Sequence, residues 1–257
     1  MFKIATWNVN SLRVRLPHVI QWLQDKQPDV LALQETKLVD KDFPQAEFAN
    51  IGYQAVYAGQ KSYNGVAVLS RVEMHEPCLA LPGLDDLQRR ILSVTVNQIR
   101  ILNLYVPNGA IVGSDKYHYK LEWLKHLANY IAEQLQQYPQ LVVLGDFNIA
   151  PEDCDVHDPI AWQGQVLVSD LERQALQTLI KLGLSDSFRL FEQTVASYSW
   201  WDYRAAGFRR NLGLRIDHIL LSQALVPLCQ ACEIDRMPRT WERPSDHAPV
   251  MVSLSFP

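Results

Sequence analysis

The chain has 257 residues, 48% of them hydrophobic and 20% charged. That is the composition of a soluble globular chain, and no apolar run is long enough to cross a bilayer. The formal net charge of −4 argues against a uniformly basic nucleic-acid binder, although a cluster of metal-holding acids lowers the total without removing a basic rim. In chain order, residues 3–7 (KIATW) read as a strand. Residues 16–26 place Val19, Ile20 and Leu23 at helical spacing and stop before Pro28. Residues 29–34 (DVLALQ) form a buried strand that runs into Glu35, and residues 53–57 and 65–70 are further strands. Residues 91–96 and 99–106 pair as a hairpin around Asn97 and Gln98. Residues 117–137 form a long amphipathic helix, and residues 141–144 (LVVL) a buried strand that Asp146 follows. Residues 171–182 are another helix, and residues 216–221 and 249–254 the last strands.

No repeat, low-complexity segment or Pro/Gly/Ser-rich linker divides this pattern, so one domain over residues 1–257 is expected. Strands follow one another without an intervening helix in several places, which excludes a strict βαβ chain. Two sheets packed face to face, with helices outside, suit it. The start, MFKIATWNVN, has no apolar segment before a small-residue cleavage site, so a cytoplasmic location is expected. The cysteines are Cys78, Cys154, Cys229 and Cys232. The last two form a CxxC with no second ligand pair, which argues against zinc. They read either as a redox pair or as small apolar residues of a strand.

Polar residues recur where strands end. Asn8 follows KIATW, Glu35 follows DVLALQ, and Tyr105 ends a strand with Asn108 three residues on. Asp146 and Asn148 sit in GDFN, Asp217 lies near the start of IDHILL, and Asp246 and His247 precede the final strand. Taken singly, each is an ordinary turn or solvated residue. Six strand ends with such groups together suit metal-assisted cleavage of a phosphodiester. Hard carboxylates such as Glu35 and Asp246 hold Mg²⁺, with Mn²⁺ as an alternative, and neutral amides such as Asn8 and Asn148 bond phosphate oxygens without repulsion. Asp246 and His247 are neighbours near a strand, so their side chains diverge and the group that orients His247 comes from elsewhere.

The motifs TWNVNSLR, LQETK, YNGVAVLS, LNLYVPNG, LGDFNIAP, WWDYR, GLRIDHILLS and PSDHAP, in this order, resemble those of the exonuclease III family. That family is part of the endonuclease/exonuclease/phosphatase superfamily. The resemblance implies a four-layered α/β sandwich, with two mixed β-sheets flanked by helices. It implies a Mg²⁺-dependent DNA repair enzyme that acts, as a monomer, on duplex DNA with 3′ ends or lesions. The implied activities are 3′→5′ exonuclease, removal of blocked 3′ ends, and abasic-site incision. By the same resemblance, Glu35, Asn8 and Asp246 belong to the metal site. Asp146 orients or deprotonates water, Asn148 and Asn108 position phosphate or water, and Tyr105 bonds the scissile phosphate. His247 faces the phosphate with Asp217 as its partner, an arrangement that fixes its tautomer and stabilises its charged form. His218, next to Asp217, points the other way and reads as structural.

Lys61, Arg90, Asn108 and Arg215 are expected to contact DNA, within a wider scatter of arginines near the motif loops. Trp200, Trp201, Leu214 and Ile216 match the family's apolar pocket, where aromatics stack on a base or line a sugar pocket, while Trp201 also suits the core. One stretch departs from the family pattern. WQGQVLVSDLER puts Val166, Leu167 and Val168 where a small residue is more usual near position 167. A branched side chain there is expected to crowd the groove for intact duplex, favouring 3′-end activity over abasic-site incision. The alternative is a superfamily phosphoesterase that acts on RNA or on a non-nucleic-acid phosphoester.

Overall fold

Residues 30–34 are buried without exception, which a strand achieves only with cover on both faces. The computed structural model, which describes residues 1–194 and 196–256, supplies that cover. In chain order its elements are β1 (Phe2–Asn8), α1 (Leu12–Lys26), β2 (Val30–Gln34), α2 (Gln45–Ala49), β3 (Gln54–Ala58), β4 (Val66–Ser70) and β5 (His75–Cys78). They continue with β6 (Ile91–Val96), β7 (Ile99–Tyr105), α3 (Asp115–Gln137), β8 (Leu141–Asp146), α4 (Pro159–Trp162), α5 (Asp170–Lys181) and β9 (Leu184–Asp186). The last are β10 (Trp200–Trp201), β11 (Gly213–Leu214), β12 (Asp217–Ser222), β13 (Cys229–Ile234) and β14 (Val250–Leu254).

Two 6-stranded sheets have the orders β13-β14-β1-β2-β4-β3 and β5-β6-β7-β8-β12-β9. Both are mixed: β1 runs parallel to β2 and β7 parallel to β8, while other neighbours are antiparallel. The alternation of side chains along β2 builds three layers of contact. Val30 and Ala32 join the core between the sheets, with Val142, Leu144, Ile219 and Val252. Leu31 and Leu33 point outward to pack with Trp22 and Leu23 of α1. On the far side, Leu102, Leu104 and Val143 meet Trp123 and Leu127 of α3 and Leu176 of α5. Helix, sheet, sheet and helix therefore make the four layers expected.

The ladders place the site. Tyr105 pairs with Asp146, and Asp146 with Asp217, so three of the expected catalytic residues share one rung across β7, β8 and β12. In the other sheet Asn8 pairs with Gln34, which puts Glu35 one residue beyond the same end. Gly145 precedes Asp146 with φ +138°, and a Cβ there would run into the Leu104 carbonyl; only glycine fits.

Differences from the sequence reading concentrate at the edges. Helix α1 begins at Leu12, four residues before the expected start at 16, with Pro17 inside it. Leu12 is buried and its N–H donates to the Thr36 carbonyl, which anchors the extra turn despite the proline. Strands β5 and β9, not expected from the sequence, and β13, expected only as one reading of Cys229 and Cys232, are all sheet edges. Edge strands need no regular apolar alternation, and β5 is mostly exposed and contains Pro77. Cys229 and Cys232 are free thiols of edge strand β13. Cys232 points into the core between the sheets, so the CxxC is strand packing.

Candidate active site

The strand ends converge on a chain of side-chain hydrogen bonds that spans both sheets. Asn8 Nδ2 donates to Glu35 Oε1 at 2.9 Å and to Asp146 Oδ2 at 2.8 Å. Lys37 Nζ lies 2.9 Å from Glu35 Oε2 and donates to Asn10 Oδ1 at 2.6 Å. Asn10 Nδ2 donates to Asp246 Oδ1, and Trp200 Nε1 to Asp246 Oδ2, at 2.9 and 3.0 Å. Glu35, Lys37, Asn10 and Asn148 all have positive φ, between 44° and 54°. Such conformations cost non-glycine residues roughly 1 kcal/mol or more each and gather at functional sites.

His247 and Asp246 diverge as neighbours on an extended chain should. His247 Nδ1 sits 2.8 Å from Asp217 Oδ2, and its Nε2 is 3.8 Å from Asp146 Oδ2. Burial disfavours the imidazolium, but the carboxylates of Asp217 and then Asp146 outweigh it and push His247 up to about 10. Burial pushes Asp146 up to about 7, with His247 working against the shift. Burial would also raise Asp246, yet His247 and the N–H groups of Asn10 and Trp200 hold it below the usual carboxylate range. The Tyr105 phenol is kept protonated by burial, aided by the Glu35 and Asp146 carboxylates. Asn148 N donates to Asp146 Oδ1 at 2.9 Å. Its side chain bonds the Val106 carbonyl and Asp146 Oδ2, and accepts from Asn108. A buried carboxylate, a charged imidazole, amides and a phenol thus gather at the same end of the two sheets, a set suited to in-line displacement at phosphorus.

Glu35, Asp146 and His247 each offer a ligand atom, all within 4.8 Å of one another. The two carboxylates, with no thiolate beside them, suit a hard cation rather than a soft one, while the charged His247 ring has no lone pair to bind it. Asp246 is not among these three; its two oxygens accept N–H bonds from Asn10 and Trp200.

Residues 5–247 match the Endonuclease/Exonuclease/phosphatase family. The chain belongs to that family. Exodeoxyribonuclease III of Haemophilus influenzae is 36% identical over 96% of this chain and 98% of its own length. An exodeoxyribonuclease of Bacillus subtilis is 32% identical over 99% and 100%. Among solved structures, the 3′ phosphatase NExo from Neisseria, bound to product DNA hairpin, superposes with a TM-score of 0.98 at 46% identity, covering 100% of each chain. An AP endonuclease from Archaeoglobus fulgidus gives 0.96 at 38% identity, also over 100% of each.

Within this Endonuclease/Exonuclease/phosphatase site, the expected DNA contacts divide. Lys61 and Asn108 are exposed. Arg90 stacks its guanidinium 4.8 Å from the Tyr105 ring centroid. Both Arg90 and Asn108 line a cleft of about 470 Å³ beside Tyr105, together with Asn64, Gln88 and Tyr119. Trp200 is half-buried at the edge of the site. Two expectations need correction. Arg215 is 1% exposed, with Nε 2.6 Å from Asp155 and NH1 2.8 Å from Asp186; an enclosed, doubly neutralised cation has nothing to offer a phosphate. Leu214 is fully buried in a cluster with Ile216, Leu167 and Val156, so it cannot stack on a base. Trp201 is core, and His218 is structural, its Nε2 at the Ile149 carbonyl and its Nδ1 at Arg215.

Leu167 does not stand in the groove either. It packs in that same apolar cluster, with Trp200 and Val166 against it, and it holds φ +77°. The sequence reading missed Asn10, Lys37, Lys120 and Glu172. Asn10 and Lys37 each lie two residues after a recognised position, but the left-handed backbone at Asn10, Glu35 and Lys37 that turns them into the site leaves no periodic signal in the sequence. Lys120 and Glu172 gave no such signal.

Proposed function

We propose that this chain is a Mg²⁺-dependent DNA phosphodiesterase of the exonuclease III type that works at 3′ termini, releasing nucleotides 3′→5′ and removing 3′-blocking groups. The observation that carries the reading is the rung of Tyr105, Asp146 and Asp217, closed by His247 and faced by Glu35 across the two sheets. Its named relatives act on DNA 3′ ends or are called exodeoxyribonucleases, which supports the choice of substrate.

Glu35 and Asp146 are the carboxylates that would hold the cation, which supplies charge neutralisation at the phosphate. Asp146 is gripped from both sides by Asn8 and Asn148, so its carboxylate is aimed; it orients water and takes up its proton. His247, charged and backed by Asp217, donates from Nε2 toward a phosphate oxygen. Tyr105 donates from its phenol. Asn108 and Arg90 line the approach beside it. Phosphate contacts of this kind position the strand without reading its sequence.

Leu167 bears on the choice between 3′ ends and internal abasic sites. With Leu167, Leu214 and Ile216 packed together under Trp200, the apolar pocket is filled from beneath. A flipped-out abasic sugar would meet this packed cluster, and weak incision there is expected. The test compares three labelled duplexes, carrying a recessed 3′ end, a 3′-phosphate or an internal abasic site, with Mg²⁺ and with EDTA. Metal-dependent release from the first two is expected. Absence of release from both would overturn the proposal.

A further inference from the structure

Behind the catalytic rung, Lys120 of α3 and Glu172 of α5 form an ion pair whose side chains are wholly enclosed. An ammonium has three N–H donors, and here each meets an acceptor. Lys120 Nζ is 2.5 Å from Glu172 Oε1, 2.6 Å from the Asn148 carbonyl and 3.2 Å from the Asn108 carbonyl. Glu172 is equally engaged. Its Oε2 accepts from the Ser169 amide and hydroxyl, and its Oε1 from the Leu167 amide. The pair reaches none of the groups that face the phosphate. It instead ties two helices to the loops that carry Asn108, Asn148 and Leu167.

Burying an ion pair is unfavourable unless every charge and hydrogen bond is answered, and apolar side chains of the same volume would join α3 to α5 as well. The feature that an apolar pair lacks is a donor for two backbone carbonyls turned inward. Those carbonyls belong to the residues whose amides face the site. Asn148 turns inward because its φ is +50°, and Gly109, with φ +91°, follows Asn108. Once the Asn148 carbonyl is held, its amide N–H meets Asp146 Oδ1 and its side chain meets both Asp146 and Asn108.

We propose that Lys120 is a positioning residue for Asn148 and Asn108, acting through their backbone carbonyls with Glu172 as its anchor. The inference rests on the phosphodiesterase reading given above. Lys120→Met keeps the length of the side chain and removes the donor. On a hairpin with a 3′-phosphate, kcat is expected to fall about tenfold to a hundredfold with KM within about twofold, because displacement by a fraction of an ångström acts on the reacting geometry and not on the rest of the DNA contact. A purely structural lysine would lower the melting temperature and leave kcat unchanged well below it. Backbone amides of residues 106–110 and 147–150 are expected to exchange hydrogen faster in Lys120→Met, with β1 unaffected. That readout needs no turnover, so it decides the inference even if wild-type enzyme releases nothing from DNA and the functional reading fails. Glu172→Gln keeps the volume and the acceptor for Ser169, and a smaller kcat loss is expected. A folded Lys120→Met with wild-type kcat and wild-type exchange would overturn the proposal. If Lys120→Met does not fold, wild-type kcat in Glu172→Gln would do the same.

Discussion

Replacing Asp217 by asparagine changes one charge and almost no volume. Asp217 Oδ2 is the acceptor for His247 Nδ1 at 2.8 Å, while its Oδ1 has no hydrogen-bond partner among the described residues, so the substitution disturbs one bond and one charge. Burial lowers the His247 pKa, but Asp217 leads the charges that raise it from 6.5 to about 10. In a serine-protease triad, the same change at the carboxylate behind the imidazole costs about 10⁴ in rate through the wrong tautomer. Here Asp146 lies 3.8 Å from the other ring nitrogen and still favours the charged ring. A loss of about 10² to 10³ in kcat/KM is therefore expected, roughly 3–4 kcal/mol of transition-state stabilisation. The pH profile separates this from misfolding. With the folded pKa raised, the imidazolium and the stability it brings are complete below about 6.5 and are lost as pH rises through about 10. In Asp217→Asn the alkaline limb should move to lower pH and the stability gained below it should shrink. Release of 3′-phosphate measured across that range, with thermal melts of both proteins, checks both. A variant within threefold of wild type, with an unmoved alkaline limb, would refute the assignment of Asp217.

Leu167→Gly should loosen the apolar cluster and raise abasic-site incision at least about tenfold; lost packing of about 2–5 kcal/mol against about 1–2 kcal/mol of relieved left-handed strain gives a net destabilisation of at most about 4 kcal/mol. Unchanged incision in a folded variant would remove Leu167 from the specificity argument. Arg215→Met breaks an enclosed cluster and should cost about 3–5 kcal/mol in denaturant unfolding, while the slope of DNA affinity against salt stays as in wild type, since no phosphate contact is lost. EDTA should abolish release and Mg²⁺ restore it, and Glu35→Gln should raise the Mg²⁺ needed for half-maximal turnover by about tenfold or more; equal Mg²⁺ dependence in both proteins would move the cation away from Glu35.

Residues were legible in the sequence where a single rule governed them. The inner strands β2, β4 and β8 are buried on both faces, so continuous apolar runs declared them. Polar residues recurring at the ends of such runs pointed to one place, and Glu35, Asp146 and His247 indeed come together. The edge strands β5 and β13 follow no such rule, because half their backbone and most of their side chains meet solvent. Arg215 misled for a different reason. A cation in a motif is read as a surface charge, and only the fold reveals Asp155 and Asp186 closing around it. Lys120 stayed hidden because it lies inside an amphipathic helix that otherwise shows ordinary spacing, and its partners are carbonyls 12 and 28 positions away.

The site is divided between two sheets, with Asn8 and Glu35 on one and Tyr105, Asp146 and Asp217 on the other. Catalytic geometry must hold to within about half an ångström, yet apolar faces packed on each other set no direction along which they may not slide. Directional bonds sit where the requirement is strongest. Asn103 of β7 is fully buried and donates to the carbonyls of Leu33 and Ala67 in the opposite sheet, at 3.0 and 2.9 Å. Gln34 Nε2 answers from that sheet, donating to Asn103 Oδ1 at 2.7 Å and to Thr6 Oγ1 at 2.8 Å. Sliding one sheet past the other would strand these amides in an apolar core, at about 1–3 kcal/mol for each group left unpaired. Gln34 is the residue before Glu35, and Asn103 lies two before Tyr105. The polar clip between the sheets therefore holds the two halves of the site at the separation that Asn8 bridges when it bonds Glu35 and Asp146 at once.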